Sequence, residues 1–424
     1  MKYVKDYIRR YQVTIVFFVI CCIAYYFASQ PFSYVLSEIM SRLQRNIVLV
    51  LSLIISVIAG LGLNFSIVVG AMAAQVSLIC VTHWGIPGMS GMLVCMLIAT
   101  PIAIFLGWLV GMLFNKTKGQ EMITGMIVAF FANGVYQFIF LVLVGTVIPM
   151  ADENLMILGG VGVRDTITLN ADMQKVVDKL FSVTLNKVLL YLAITITLYA
   201  IYQIFKIVSG AKKTNVQPGI KAILKPLTKV AVIFAVYALT IFEPTISSAA
   251  SFCGVPVVTF AFAALVALYC KFLLKTKMGQ DFRAIGMERT VAEAAGIDIN
   301  KKRILANIMS TVLAAWGQLI FVQNTTSFST YSSHENVGIF AIAAILIGGA
   351  SIKRATISQA WIGTVLFHTL FVLSPLAGKN LFNDPTYGEY FRVFVAYAVI
   401  IVALVMHAIR EAKERRLESM RLDS

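Results

Sequence analysis

Charged residues are scarce in this chain. Only 13% of its 424 residues are Asp, Glu, Lys or Arg, and 59% are hydrophobic, whereas soluble domains carry roughly a quarter charged residues. This composition excludes a soluble protein. A helix needs about 20 apolar residues to span a bilayer, and twelve such stretches would take up nearly all of the apolar content. We therefore expect an all-α, polytopic integral membrane protein that leaves little room for a globular domain.

Motifs for nucleotide, metal and hydrolase chemistry are also missing. The Gly378-Lys379 pair lacks the preceding glycine of a Walker A loop. The six cysteines have no C-x-x-C spacing, and the four histidines are scattered along the chain. No serine or cysteine lies in a G-x-S-x-G elbow. We expect no catalytic residue, no metal site and no cofactor bound by the chain itself.

Carboxylates are missing from the middle of the apolar segments, since Glu121 and Glu243 lie at segment ends. A charge buried in a membrane is costly and is kept for a function such as proton transfer. The pattern therefore argues against a proton-driven carrier. A carrier that holds sodium through backbone carbonyls stays open.

Apolar segments recur along the whole chain, and each must be helical because the runs lack the alternation of barrel strands. The first predicts an anchor helix rather than a secretory signal. One short segment ends in Gly348-Gly349, and the second and third look like one region broken around residues 60–66. We expect ten to twelve transmembrane or re-entrant helices. The segments are 12–29, 46–63, 65–82, 89–114, 121–147, 188–208, 229–243, 256–274, 304–323, 338–350, 355–376 and 390–409.

Basic residues set the predicted orientation. With an internal N-terminus, 24 Lys and Arg fall in cytoplasmic parts and 7 outside, as the positive-inside rule requires. The net charge of +15 therefore indicates membrane topology rather than nucleic-acid binding. Both termini are expected to be cytoplasmic, and residues 1–424 to form a single membrane-embedded domain. Its extramembrane parts are an external loop at 148–187, a basic cytoplasmic linker at 209–228, a cytoplasmic loop at 275–303 and a basic cytoplasmic tail at 410–424. The external loop could cap a pathway, receive a partner or be a solvated decoration.

The cytoplasmic loop carries helix-terminus signals. Thr290 followed by Glu293 predicts a capping box, and Gly296 suits a left-handed helix end. Together they predict a short helix at 291–295, which packing must hold because so short a helix is unstable alone. The alternative is a plain connector between two membrane helices.

The same loop carries the most specific resemblance. RAIGMERTVAEAAGIDINKKRILANIMSTVLAAWGQL, residues 283–319, resembles the cytoplasmic signature of permease subunits of ATP-binding-cassette importers, in the group that handles ribose and other simple sugars, nucleosides and branched-chain amino acids. Stretches at 63–75, 120–138 and 341–367 fit the same family in the same order.

The resemblance implies a coupling helix at 283–297 that docks in a groove of a separate cytoplasmic ATPase subunit, where ATP and Mg would bind. It also implies a second permease copy or paralogue, an extracytoplasmic solute-binding protein and a bacterial plasma (inner) membrane. The ATPase-coupling residues would be Arg283, Gly286, Glu288, Thr290, Glu293, Ala295 and Gly296.

Neutral polar residues recur at membrane depth and suggest a pathway for a small polar solute. A simple sugar or nucleoside is favoured, and a branched-chain amino acid is the alternative within the family. A self-sufficient secondary carrier and an exporter subunit are the other hypotheses. Each polar residue could instead bond to a neighbouring helix. The pathway-lining candidates are Asn64, Gln75, Asn133, Gln137, Asn307 and Gln318.

Overall fold

The chain is almost entirely helical, as its composition predicts. A computed structural model describes residues 11–150, 152, 155–157, 159–214, 220–352 and 354–422. Each predicted apolar segment overlaps a helix, and α5 continues into a π-helical turn at Ile139–Leu143. The helices are α1 Gln12–Ala28, α2 Phe32–Ile58, α3 Ile67–His83, α4 Gly88–Lys116, α5 Glu121–Phe138, α6 Val176–Leu180, α7 Leu185–Thr214, α8 Ile220–Phe242, α9 Pro244–Phe252, α10 Val257–Leu273, α11 Lys277–Met287, α12 Arg289–Ala294, α13 Ile299–Thr325, α14 Val337–Ile347, α15 Ile357–Phe382 and α16 Pro385–Leu422.

Several of these helices have the length and composition of membrane spans. Among the described residues, six helices are long and apolar enough to cross a membrane. The number of spans rises to as many as eight if each of two bent helix pairs counts as one span. Three further apolar helices, α1, α3 and α14, have 10–17 residues. The chain is therefore a multi-pass membrane protein. The six long spans are Phe32–Ile58, Gly88–Lys116, Glu121–Leu143, Leu185–Ser209, Ile299–Thr325 and Ile357–Phe382.

The predicted breaks are confirmed. Helix α2 ends at Ile58 and α3 begins at Ile67. In between, Gly60 and Gly62 take positive φ angles of 73° and 68°, which L side chains rarely adopt. Helix α14 has only 11 residues and ends at Ile347, with Gly348 as its C-cap. Irregular backbone of this kind is tolerated in a membrane protein only where protein or a water-filled cavity covers it.

The helices divide into two compact units. The first comprises the described parts of Met1–Ser29, Arg42–Leu180 and Val258–Ser424, and the second comprises Gln30–Ser41 and Phe181–Val257. In the second unit, α7 packs against α8 and α9. Strand β2 (Ser182–Thr184) pairs there antiparallel with β3 (Gly254–Pro256).

Helix α13 is the packing centre of the first unit, and glycines allow its neighbours to approach closely. A Cβ at Gly70 of α3 would lie 2.3 Å from the carbonyl oxygen of Thr311, and one at Gly111 of α4 would lie 2.9 Å from the Cα of Ile304. Backbones that touch in this way are typical of membrane helix pairs. Helix α13, which follows the predicted cytoplasmic loop, is thus packed between α3 and α4.

The described residues of 148–180, which form most of the predicted external loop, belong to the first unit. Strand β1 (Thr166–Thr168) pairs antiparallel with β4 (Ser327–Ser329). The buried carboxylate of Asp178 accepts hydrogen bonds from Thr259 at 2.5 Å and from Asn324 at 2.6 Å. These contacts tie the loop to the ends of α10 and α13.

The two basic stretches are largely helical. Within 209–228, α7 extends to Thr214 and α8 begins at Ile220, and residues 215–219 lie outside the described residues. In the tail, α16 continues to Leu422. The basic N-terminal residues 1–10 also lie outside the described part.

Candidate functional site

The predicted coupling loop contains two short helices. Helix α10 and helix α11 meet at a bend of 76°. The hydroxyl of Thr276 accepts a hydrogen bond from the amide of Gly279 at the start of α11. At Glu288 the backbone becomes extended, and α12 begins at the next residue. The loop therefore consists of a helix, a break at Glu288 and a second helix.

The start of α12 differs from the prediction, and its end agrees with it. The prediction of a capping box between Thr290 and Glu293 is wrong, because α12 begins at Arg289 and Thr290 lies inside its first turn. The hydroxyl of Thr290 instead donates to the carboxylate of Glu288 at 2.9 Å. At the other end Gly296 has a φ of 77°, which confirms the left-handed terminus.

The next helix, α13, begins with a side-chain cap. The carboxylate of Asp298 accepts from the amide of Lys301 at 3.0 Å. This hydrogen bond and the adjacent Lys301 ammonium lower the pKa of Asp298. The cap fixes where the loop ends and the membrane helix starts.

The loop has a buried face and an exposed face. Phe282, Ile285 and Ala292 are buried at 1% exposure or less and supply the packing that a short helix needs. Of the predicted coupling residues, Gly286 is half-buried, and the others are exposed: Arg283, Glu288, Thr290, Glu293, Ala295 and Gly296. Six of these seven residues therefore lie on the exposed surface of the loop.

Gly286 lies against the break between α2 and α3. A Cβ at Gly286 would be 2.2 Å from the carbonyl oxygen of Ile58, and one at Gly60 would be 2.9 Å from the Cα of Gly286. No other residue type fits such a contact without a shift of the backbone. The loop and the end of α2 thus touch through their main chains.

An ion cluster joins the loop to the first residue of α5. The carboxylate of Glu121 accepts from Arg289 at 2.6 Å, from the amide of Gly119 at 3.0 Å and from the buried Arg303. Arg289 also donates to the carbonyl oxygen of Gly60 at 3.3 Å. The sequence alone does not predict this cluster, because its members are distant along the chain. The available signal was a carboxylate at a helix start on the same predicted side as basic residues.

A groove of about 510 Å³ lies over this cluster. Its walls are the backbone of residues 60–62, the start of α5 and the junction of α11 and α12. Among the charged side chains that line it are Glu121, Glu288 and Arg289. Ile352 completes the wall, so the groove brings together four separate parts of the first unit and carries charged groups among apolar ones.

A second polar site centres on His334, in the connection between α13 and α14. The Nε2 of its ring is 2.8 Å from the Oδ1 of Asn133, and its Nδ1 is 2.6 Å from the carboxamide of Gln75. Asn133 also donates to Glu335 at 2.7 Å, and Gln137 donates to Asn133 at 3.4 Å. Three of the predicted pathway residues thus share one network.

The protonation state of His334 follows from its burial. Burial lowers the pKa of this ring to about 4, so the ring is neutral at pH 7 and has one donor and one acceptor. Because Asn133 donates through its nitrogen to Glu335, its oxygen accepts from Nε2. Nδ1 faces the carboxamide oxygen of Gln75, whose amide nitrogen donates to the carbonyl oxygen of Ser329 at 3.5 Å. The ring thus connects Asn133 of α5 with Gln75 of α3.

A pocket of about 250 Å³ opens next to this network. Its polar side presents Asn133, Glu335 and Asn336, and the remaining wall is apolar or aromatic. Such a pairing of apolar surface with a few placed polar groups is typical of sites for small molecules. The apolar and aromatic lining residues are Phe65, Val68, Met126, Ala129, Phe130, Ile339 and Tyr397.

The other predicted pathway residues lie elsewhere. Asn64 donates to Asn307 at 2.8 Å, and Asn307 donates to the carbonyl oxygen of Gly107 at 2.8 Å. Both are buried, at 1% exposure or less, and in this arrangement they join the broken segment to α13 and α4. Gln318, also buried, lies 3.5 Å from the carbonyl oxygen of Ser333. In the described part of the chain, no three His, Cys, Asp or Glu side chains come together as a metal site.

Comparison with known proteins gives a family match over more than half of the chain. A family model described as the permease component of branched-chain amino acid transport systems matches residues 176–404. This range includes the coupling loop and the 341–367 stretch of the resemblance, and it excludes the stretches at 63–75 and 120–138. No solved structure matches this chain.

Curated relatives carry names of sugar and nucleoside permeases. The chain is 29% identical to a xylose transport system permease of Haemophilus influenzae, over 42% of this chain and 45% of that protein. It is 26% identical to a nucleoside permease of Lactococcus lactis, over 33% of this chain and 37% of that protein. A ribose import permease of Haemophilus influenzae is 24% identical, over 36% of this chain and 45% of that protein. The matched region spans less than half the length of each.

Proposed function

This chain belongs to the family of permease components of branched-chain amino acid transport systems, and from that membership we propose that it forms the membrane pathway of an ATP-driven importer. ATP and Mg would bind to a separate cytoplasmic ATPase, because the sequence carries no Walker A loop. The chain itself would break no bond. Its contribution would be a change of conformation that nucleotide states of the partner favour differently.

One observation supports this coupling more than any other. We call the predicted coupling loop at 275–303 the coupling segment. On it, Met287 is 67% exposed and Val291 is 64% exposed. Both are exposed although the buried residues Phe282, Ile285 and Ala292 hold the segment in place. Large apolar side chains on a short, firmly packed extramembrane helix are typical of a docking surface. A groove on the ATPase is the partner surface that we propose for them.

The test is co-purification of the ATPase with the detergent-solubilised chain from its native membrane. Val291→Asp places a charge at the proposed interface and should abolish the association. Val161→Asp is the matched control, because Val161 is 46% exposed in the predicted external loop. Gly286 and Glu293 provide further variants. If Val291→Asp and these variants, all folded, kept the ATPase and solute uptake, the coupling assignment would be wrong.

The polar network and its pocket suggest the solute class. Asn133 and Asn336 offer neutral hydrogen-bonding groups to the pocket, and Glu335 adds a carboxylate, beside an apolar and aromatic wall. Such a lining suits the hydroxyl groups of a simple sugar or a nucleoside. The names of the curated relatives favour the same class. Branched-chain amino acids, named in the family description, are the alternative. Equilibrium binding of xylose, ribose, uridine and leucine to the co-purified solute-binding protein would separate them.

The remaining partners follow from the same proposal. The permease would pair with a second copy or a paralogue, receive solute from an extracytoplasmic binding protein and lie in the bacterial inner membrane with both termini cytoplasmic. An importer subunit should move no solute across liposome membranes without its ATPase, whereas a self-sufficient carrier should. Solute flux through this chain alone would therefore contradict the importer hypothesis and support the carrier.

A further inference from the structure

We propose that Glu121, Arg289 and Arg303 form a clamp that transmits movement of the coupling segment along α5 to the pocket beside His334. This inference rests on the proposed function, because it needs an ATPase that moves the segment. The three residues are positioning residues, since none of them lines that pocket. We call this cluster the clamp below.

The clamp connects three parts of the first unit at a single carboxylate. Glu121 is the first residue of α5, Arg289 is the first residue of α12, and Arg303 lies in the first turns of α13. Arg289 adds a contact to the backbone at Gly60. A displacement of α12 must therefore either pull on Glu121 or break a charge-assisted hydrogen bond, which is about twice as strong as a neutral one.

The clamp has a fixed half and an accessible half. The side chain of Arg303 is fully buried, and its Nε and Nη1 have no hydrogen-bond partner among the described residues. Glu121 is therefore its counter-charge, and a buried guanidinium holds that carboxylate in place. Arg289 is 32% exposed and lies on the segment that would meet the ATPase. Only Arg289 can move without leaving a buried charge unpaired.

Helix α5 links the clamp to the second polar site. Twelve residues separate Glu121 from Asn133, which corresponds to about 18 Å along an α-helix. Over that length, Met126, Ala129, Phe130 and Asn133 line the pocket. A tilt or shift of α5 at the clamp therefore changes the wall of the pocket and the hydrogen bonds of Asn133 to His334 and Glu335.

The decisive variant is Arg289→Met. It removes the tie between α12 and α5 and keeps the buried pair of Glu121 with Arg303. Glu121→Gln would leave Arg303 without a counter-charge, so a folding defect could hide its effect. Lys302→Met is the matched control. Lys302 is 29% exposed, and its 2.7 Å ion pair with Asp281 joins α11 to α13 without reaching α5.

The experiment uses the complex purified from native membranes, with Cys22→Ser and Asn336→Cys in every version. Cys22 is an exposed native cysteine, and Asn336 is an exposed residue of the pocket wall. The measurements are the amount of co-purified ATPase, the ATPase rate and the reaction of the introduced cysteine with a water-soluble maleimide. Labelling is measured without nucleotide and with ATP and vanadate.

We expect the parent complex to change its labelling rate when ATP and vanadate are added. Arg289→Met should keep the associated ATPase and lose that change, Arg289→Lys should restore part of it, and Lys302→Met should keep all of it. The proposal is overturned if Arg289→Met responds like the parent, if it loses the ATPase, if the parent does not respond or if Lys302→Met fails equally. A parent chain that captures no ATPase would overturn the proposed function as well, which separates the two failures.

Discussion

Gly286 is the residue where the coupling segment touches the break after α2 without an intervening side chain. A Cβ there would lie 2.2 Å from the carbonyl oxygen of Ile58, which no packing change of a side chain can relieve. We expect Gly286→Ala to lower the free energy of unfolding by roughly 1–3 kcal/mol, as overpacking does elsewhere. Reversible denaturation of the parent and the variant in detergent measures this difference in the free energy of unfolding.

Gly134 provides the control for that substitution. It lies in α5, and a Cβ there meets nothing within 4 Å. Gly134→Ala should leave the free energy of unfolding unchanged or raise it by up to about 1 kcal/mol, because alanine is the better helix former. Equal losses for the two variants would contradict the assigned contact at Gly286.

His334 gives the molecule a dependence on pH. Burial depresses the pKa of its ring from its ordinary value of 6.5 to about 4, so the unfolded chain binds more protons between those values. The stability that the neutral ring provides is fully present above pH 6.5 and is lost as the pH falls towards 4. The difference is roughly 3 kcal/mol at most, at 1.36 kcal/mol per pKa unit. The Tm in detergent, followed across this range, should fall with acidification.

A variant without a titrating ring isolates that contribution. His334→Gln keeps a donor and an acceptor beside Gln75 and Asn133 and should flatten the pH dependence of the Tm. Glu335 accepts a hydrogen bond from Asn133 within the same network and is present in both proteins. A parent and variant whose Tm values fall in parallel would assign the pH dependence to other groups.

At the scale of elements, helix caps show where a sequence pattern is reliable. The T-x-x-E pattern at Thr290 forms no capping box, whereas the T-x-x-Q pattern at Thr356 and Gln359 does, at the start of α15. Gln359 also donates to the carbonyl oxygen of Gly349 at 2.7 Å. We expect Thr356→Ala to lower the free energy of unfolding by about 1 kcal/mol. Thr290→Ala should change it less, and the reverse order of the two would contradict the assigned caps.

The sequence predicts the helices and their breaks better than the polar clusters, because helices depend on local sequence and the clusters depend on distant contacts. Membrane helices depend on apolar length, and the breaks at residues 60–66 and at Gly348 depend on glycine, so both can be read locally. Glu121 and Arg303 meet only because α5 and α13 begin at the same end of the first unit, 182 residues apart. The network around His334 is likewise assembled from α3, α5 and the connection before α14. No periodicity records such distant contacts, although three of the six predicted pathway residues lie in that network.

For the whole molecule, orientation is the property on which every functional argument depends. The coupling segment can meet a cytoplasmic ATPase only if residues 275–303 face the cytoplasm. The excess of internal basic residues predicts this side for 275–303 and the outside for 148–187. Arg283 and Asp172 are exposed representatives of the two regions. In a Cys22→Ser parent, Asp172→Cys should react with a membrane-impermeant maleimide in intact cells whose outer layers are removed. Arg283→Cys should react only after the membrane is permeabilised. Reaction of Arg283→Cys in intact cells would place the clamp outside, where no ATP-driven partner could act on it, and a carrier driven by the solute gradient would then be the consistent hypothesis.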